Sequence, residues 1–144
     1  GFAVAEKIRK KYPEAFSLLS TQLVRFRYLD EGLADLEATS PLIETNPQGE
    51  VIALRYNSRS AQTFTFSSEV MADYYDAYRL LGELLHEPEA CIEFRLDAGQ
   101  LIIFDNQRVL HGRSAYEEGF RHLQGCYADK DSLQSLIRVL EAKK

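Results

Sequence analysis

A histidine, an arginine and a tyrosine stand close together near the C-terminal end of this chain. His111 lies inside the run Asp105-Asn106-Gln107-Arg108-Val109-Leu110-His111-Gly112-Arg113, Arg121 follows ten residues later, and Tyr127 comes after it. Their chemistries differ in a useful way. A neutral imidazole is a common metal ligand. A guanidinium grips a carboxylate through two parallel charge-assisted bonds that an ammonium cannot reproduce. The face of a phenol ring attracts a cation without needing a hydrogen bond. Together they are contacts for a metal, a dicarboxylate and a cation.

These residues need elements to hold them. Val4, Ile8, Tyr12, Ala15 and Leu19 recur at three- or four-residue spacing, so residues 3–19 read as helix, divided by Pro13, which suits the first turn of a second piece. Residues 22–29 alternate apolar and basic, as a half-exposed strand does, and Gly32 to Ser40 follow as an acidic loop. Strands are expected at 41–45 and 51–56 with the turn Asn46-Pro47-Gln48-Gly49 between them. Ser67 or Ser68 caps a helix whose buried stripe is Val70, Tyr74, Ala77, Leu81 and Leu84, ending at His86-Glu87-Pro88. Beyond it the apolar runs 90–96, 101–104, 108–112 and 120–127 read as strands, and 131–141 as a last helix with Leu133, Leu136, Ile137 and Leu140 on one side. On a period-two strand Arg121, Leu123, Gly125 and Tyr127 share a face, with ~20 Å from first to last, and Gly125 leaves room above the backbone for a ligand. Short strands with interspersed helices suit a double-sheet jelly roll with added helices in one compact unit.

The wording of the Asp105–Arg113 run, of Arg121-His122-Leu123-Gln124-Gly125-Cys126-Tyr127-Ala128-Asp129 and of Leu136-Ile137-Arg138-Val139-Leu140 resembles the C-terminal core of the TauD-type Fe(II)- and 2-oxoglutarate-dependent oxygenases. Within them it is most similar to the γ-butyrobetaine dioxygenase and trimethyllysine dioxygenase branch, and nearer to the butyrobetaine enzymes. The resemblance implies an α+β, mainly β fold: a double-stranded β-helix (jelly-roll) core with added helices, of which residues 1–144 form an incomplete C-terminal portion of one catalytic domain. It implies Fe(II) and 2-oxoglutarate as cofactors, with ascorbate as an accessory reductant. By the same resemblance His111 is the third iron ligand, Arg121 holds the distal carboxylate of 2-oxoglutarate, and Tyr127 is one wall of an aromatic cage around a trimethylammonium group. Asn57, in Arg55-Tyr56-Asn57-Ser58, would contact the carboxylate end of the substrate; a turn-capping asparagine at a strand end is the other reading of it. The family usually has Trp after the Asp-Asn pair, where this chain has Gln107 and no Trp anywhere. That departure touches substrate identity, not fold.

Such oxygenases hold iron with two histidines and one carboxylate, leaving positions open for the keto-acid and oxygen. The histidine-carboxylate pair of that set is a His-x-Asp or His-x-Glu, and none is present: two residues after His86, His111 and His122 stand Pro88, Arg113 and Gln124. His86 reads as a helix-end residue and His122 as strand packing or surface. The first residues, Gly1-Phe2-Ala3, read as the middle of an element, which agrees with a fragment. On this reading the isolated chain is inactive.

Bulk properties set the remaining bounds. A chain of 144 residues suits one domain, and a domain of about this size buries ~68–70% of its unfolded surface. With 45% hydrophobic and 27% charged residues it is of the soluble globular class. A net charge of −5 speaks against nucleic acid and anionic membrane as partners, and no apolar run approaches the ~18 residues of a spanning helix. Cys91 and Cys126 make neither a disulfide framework nor a zinc spacing, and are expected as buried thiols of a cytoplasmic protein.

Two readings follow. In one, the chain is the C-terminal part of a dioxygenase that hydroxylates a small quaternary-ammonium carboxylate such as γ-butyrobetaine, or trimethyllysine or another small acid. In the other it is a non-catalytic, truncated jelly-roll module that self-associates, because strand edges without partners pair with other chains. The expected partners are a small-molecule substrate and further copies of the same chain, with residues 22–29 and 101–104 as the exposed surfaces. A His-x-Asp or His-x-Glu a few tens of residues before Gly1 would decide for the enzyme.

Overall fold

Pro13 divides the N-terminal helical run as its missing N–H requires: α1 spans Phe2–Lys11 and α2 spans Pro13–Thr21, with Pro13 in the first turn of the second helix. The computed structural model describes residues 1–113 and 122–143. They fall into two units, Gly1–Gly112 and Arg113–Lys144. In the first, α1 and α2 are followed by strands β1 (Val24–Asp30), β2 (Ala34–Ser40), β3 (Ile43–Thr45) and β4 (Val51–Leu54), helix α3 (Ser68–Leu85) and a single 3-10 turn over Pro88–Ala90. The second holds α4 (Lys130–Glu141).

The strands form two antiparallel pairs, β1 with β2 and β3 with β4. The acidic loop expected over Gly32–Ser40 is instead the second strand of a hairpin. Gly32, at φ 78°, gives the left-handed step that reverses the chain, and Leu33 N–H donates to the Asp30 carbonyl at 2.9 Å. The acidic residues are strand residues facing basic ones: Arg27 makes a two-point contact with Asp35, both bonds 2.9 Å, and Arg25 pairs with Glu37. The Arg27 hydrogen bond lowers the Asp35 carboxyl below its ordinary range, and the Asp35 bond raises the Arg27 guanidinium. The opposite face pairs Phe26 with Ala38 and Tyr28 with Leu36. At the second hairpin, Asn46 Oδ1 accepts the N–H groups of Gln48 (3.1 Å) and Glu50 (2.8 Å) and closes the expected turn.

The core lies where α1, α2 and α3 meet β3–β4 and the base of β1. Val4, Ile8, Leu19, Val24, Leu42, Ile43, Leu54, Tyr74 and Leu81 are among its buried members. Removing an aliphatic side chain of this size from water contributes about 1.5–3 kcal/mol. The α3 stripe is as expected, with Tyr74, Ala77, Leu81 and Leu84 buried and Val70 partly so. Phe64 and Phe66, from the segment leading into α3, pack on Tyr74 at ring-centroid distances of 4.9 and 4.4 Å. No charged group is buried among the described residues.

The C-terminal strands differ from expectation. Residues 90–96, 101–104 and 108–112, and the described part of 120–127, belong to no ladder. A strand exists only through hydrogen bonds to a neighbour, and no partner strand for these runs is found among the described residues. Ile92, Phe94, Leu101 and Ile103 are accordingly exposed despite their apolar character. For the same reason the shared face expected of Leu123, Gly125 and Tyr127 is not formed by a strand. Both Cys91 and Cys126 are exposed free thiols, which corrects the expectation of buried ones: each sits in an unpaired segment outside the core. No helix among the described residues is long and apolar enough to cross a membrane. The jelly-roll core of the expectation is therefore seen here only as small antiparallel sheets with helices.

Candidate functional site

The Asp105–Arg113 run begins with a turn whose construction explains its wording. The Asp105 carbonyl accepts the N–H groups of Arg108 and Val109, each at 3.0 Å, while its Oδ1 accepts that of Gln107 at 3.0 Å. An aspartate that caps the turn from both backbone and side chain reverses the chain within four residues. The turn is fixed to the core at three points. The Gln107 carbonyl accepts the N–H of Leu54, the last residue of β4, at 3.0 Å. Arg108 lays its guanidinium over the Phe2 ring of α1, 4.9 Å from the centroid, and Leu110 packs against the buried cluster.

His111 emerges just beyond that anchor and is exposed. Its ring lies against Phe104, from the other side of the turn, with centroids 4.7 Å apart and planes inclined at 50°. The turn thus brings residues 104 and 111 side by side. Imidazole is a suitable iron donor, so His111 fits as one ligand. Among the described residues no three histidine, cysteine, aspartate or glutamate side chains gather as a metal set.

Asn57 sits where the chain leaves β4. Arg55 N–H still donates to the Leu42 carbonyl at 2.8 Å, extending the β3–β4 contact by one residue. Then the chain turns: Asn57 Oδ1 accepts the N–H of Arg59 at 2.8 Å, and its carbonyl accepts that of Ala61 at 3.2 Å. Turn capping by Asn57, one of the two readings open in the sequence, is therefore present. It engages only the oxygen of the amide, and the side chain is otherwise exposed. Because Leu54 bonds to Gln107, the segments that carry Asn57 and His111 leave the same end of β4.

Arg121 lies outside the described residues. Tyr127 belongs to the second unit, outside any strand, with its side chain 91% exposed. A cleft of about 390 Å³ is lined by Leu23, Val24, Arg25, Thr39 and residues 62–65, and includes neither His111 nor Asn57. It is a gap between the base of the first hairpin and the strap after Asn57, so the chemistry is better sought at the end of β4.

One neighbouring feature escaped the sequence reading. Tyr56, adjacent to Asn57, stacks on Tyr78 with centroids 5.0 Å apart and planes 26° from parallel, and its hydroxyl rests over Gly82 of α3. Burial, with Tyr56 adding to it, raises the Tyr78 phenol above its ordinary range. The spacing Tyr74, Tyr78, Gly82 along one helix face was the available signal.

Known proteins bear on this geometry. Residues 1–127 match the family described as taurine catabolism dioxygenase TauD, TfdA family. The chain is 43% identical over 143 residues to the γ-butyrobetaine dioxygenase of Pseudomonas sp. (strain AK-1), a match covering 98% of this chain and 37% of that protein. It is 34% identical over 149 residues to the human γ-butyrobetaine dioxygenase, covering 99% and 38%. With the mitochondrial trimethyllysine dioxygenase of Bos taurus it shares 32% over 145 residues, covering 97% and 34%. The chain thus spans little more than a third of the length of the curated relatives it matches.

Proposed function

The chain belongs to the TauD/TfdA family, and on that premise we propose that it is the C-terminal part of a dioxygenase acting on a small quaternary-ammonium carboxylate, with γ-butyrobetaine as the first candidate. The observation that carries the reading is the hydrogen bond between Leu54 and Gln107, which joins the segments of Asn57 and His111 at one end of β4. Fe(II) with 2-oxoglutarate and oxygen would supply the oxidising power that replaces a C–H bond by C–OH, with succinate and carbon dioxide as co-products. His111 would contribute one iron ligand, its ring orientation set by Phe104. Arg121 would hold the far carboxylate of 2-oxoglutarate, since a planar two-point donor matches a carboxylate. Asn57 would donate to the substrate carboxylate, and Tyr127 would offer its ring face to the trimethylammonium group.

A second reading has its own support. The described residues carry several exposed apolar runs, a feature of a module that self-associates. One experiment separates the two. A full-length protein carrying this segment, given Fe(II), 2-oxoglutarate and γ-butyrobetaine, should form succinate in step with hydroxylated product, and His111→Ala should abolish it. The isolated 144-residue chain should form none, because one histidine cannot hold an octahedral metal that expects three protein ligands. Succinate made stoichiometrically by the isolated chain would refute the missing-donor argument. No turnover by the full-length protein would favour the non-catalytic module.

A further inference from the structure

We infer that Tyr56 and Gly82 are positioning residues that set the direction of the Asn57 amide, and through it the affinity for a substrate carboxylate. The inference rests on the proposed reading of Asn57 as a substrate contact and deepens it.

The amide is polarised by its turn. A backbone N–H can only donate, so the atom 2.8 Å from the Arg59 nitrogen must be the amide oxygen, and the NH₂ group faces away. A ligand approaching Asn57 therefore meets a donor, the polarity that a carboxylate needs. This direction holds only as long as the turn does, and the turn is secured on both sides. On its far side, Arg27 N–H donates to the Ser60 carbonyl at 2.8 Å and Gln62 N–H to the Arg25 carbonyl at 2.9 Å, tying residues 60–62 to the edge of β1. On its near side Arg55 pairs with Glu44 at 2.8 Å, and Tyr56, next to Asn57, is stacked on Tyr78 and seated over Gly82.

Gly82 has a reason to be glycine. It is buried inside α3, where glycine weakens a helix relative to alanine. A Cβ there would lie 2.3 Å from the Tyr56 hydroxyl oxygen and 3.2 Å from its Cζ. The first distance is impossible, so the ring must move. A phenol is rigid from Cβ to oxygen, so either the ring turns about the Cα–Cβ bond and leaves its stack on Tyr78, or the backbone beside Asn57 shifts, and both loosen the hold on the turn.

The test is made in the full-length protein with γ-butyrobetaine as the probe. Asn57→Ala should raise the KM for γ-butyrobetaine on the order of tenfold, the worth of one hydrogen bond to a charged group. Gly82→Ala should raise it about fivefold, with kcat changed by less than about twofold and the KM for 2-oxoglutarate unaltered. Adding Tyr56→Phe to Gly82→Ala should largely restore the KM, because deleting the hydroxyl removes the 2.3 Å clash and leaves a 3.2 Å approach that the ring relieves by giving a few tenths of an ångström. In the Asn57→Ala background Gly82→Ala should add nothing. If Gly82→Ala does not fold, Tyr78→Leu removes the stacking partner instead and should show the same dependence on Asn57. An equal effect of Gly82→Ala, or of Tyr78→Leu, with and without Asn57 would overturn the positioning role while leaving the substrate contact intact. An Asn57→Ala enzyme with unchanged KM would overturn the substrate contact, and the positioning role with it.

Discussion

Tyr127 presents a ring that is almost wholly in solvent. If the face of that ring attracts a cation, Tyr127→Leu in a full-length protein should weaken a trimethylammonium substrate by roughly 0.5–2 kcal/mol. The neutral analogue bearing a tert-butyl group should lose less, and comparing the two binding constants checks this. Equal losses would reduce Tyr127 to apolar contact. At Arg121 the matching change is Arg121→Lys, which keeps the charge and loses the planar fork. It should raise the KM for 2-oxoglutarate much more than that for the other substrate, and an equal rise in both would make the residue structural. The candidate residues were legible in the sequence by type and order. Their supports were less so: Arg108 on Phe2 and Tyr56 on Gly82 join residues far apart in the chain, and no local spacing announces such contacts.

Among the elements, the helices and the strands β1, β3 and β4 were legible, while β2 and the C-terminal apolar runs were not. A helix is closed by bonds between neighbours in sequence, so the stripe Tyr74, Ala77, Leu81, Leu84 needed nothing else to declare α3. A strand depends on a distant partner. β2 was read as a loop because its acidic residues looked solvated, whereas Arg25 and Arg27 of β1 account for two of them. The runs 101–104 and 108–112 show the converse, since apolar composition without a partner makes no ladder. Within α3, Tyr74 is fully buried, its hydroxyl has no hydrogen-bond partner among the described residues, and desolvation raises its phenol well above the ordinary value. The sign of the consequence is fixed. Above about pH 10 the unfolded chain loses the Tyr74 proton first while the folded chain retains it, so the folded state binds more protons and stability falls as pH rises. Phenolate absorbance should place the Tyr74 step above the ordinary tyrosine range. That step should coincide with loss of helical circular dichroism; a Tyr74 phenol that ionises at its ordinary value in a folded chain would show that α3 does not seal it.

For the whole molecule the exposed apolar runs raise a question of assembly. Ile92, Phe94, Leu101, Ile102 and Ile103 are exposed side chains on a segment in no ladder, and the stripe Leu133, Leu136, Ile137 and Leu140 of α4 is exposed as well. Exposed apolar runs drive association in water, and unpaired backbone along the 101–104 run offers a template for another strand. The chain spans little more than a third of the length of the relatives it matches. Of the two surfaces expected to be exposed, residues 22–29 are half answered, because β2 covers one edge of β1 and Arg27 and Ala61 engage the other. Residues 101–104 are not covered among the described residues. The isolated 144-residue chain should therefore sediment as a dimer or larger at low micromolar concentration, by pairing of the 101–104 run or exchange of an element between copies. Ile103→Lys, which places a charge on the exposed run without touching the core, should shift it toward monomer, as charge does on natural sheet edges. A monomeric, non-aggregating chain before any substitution would mean that these runs find cover within one polypeptide.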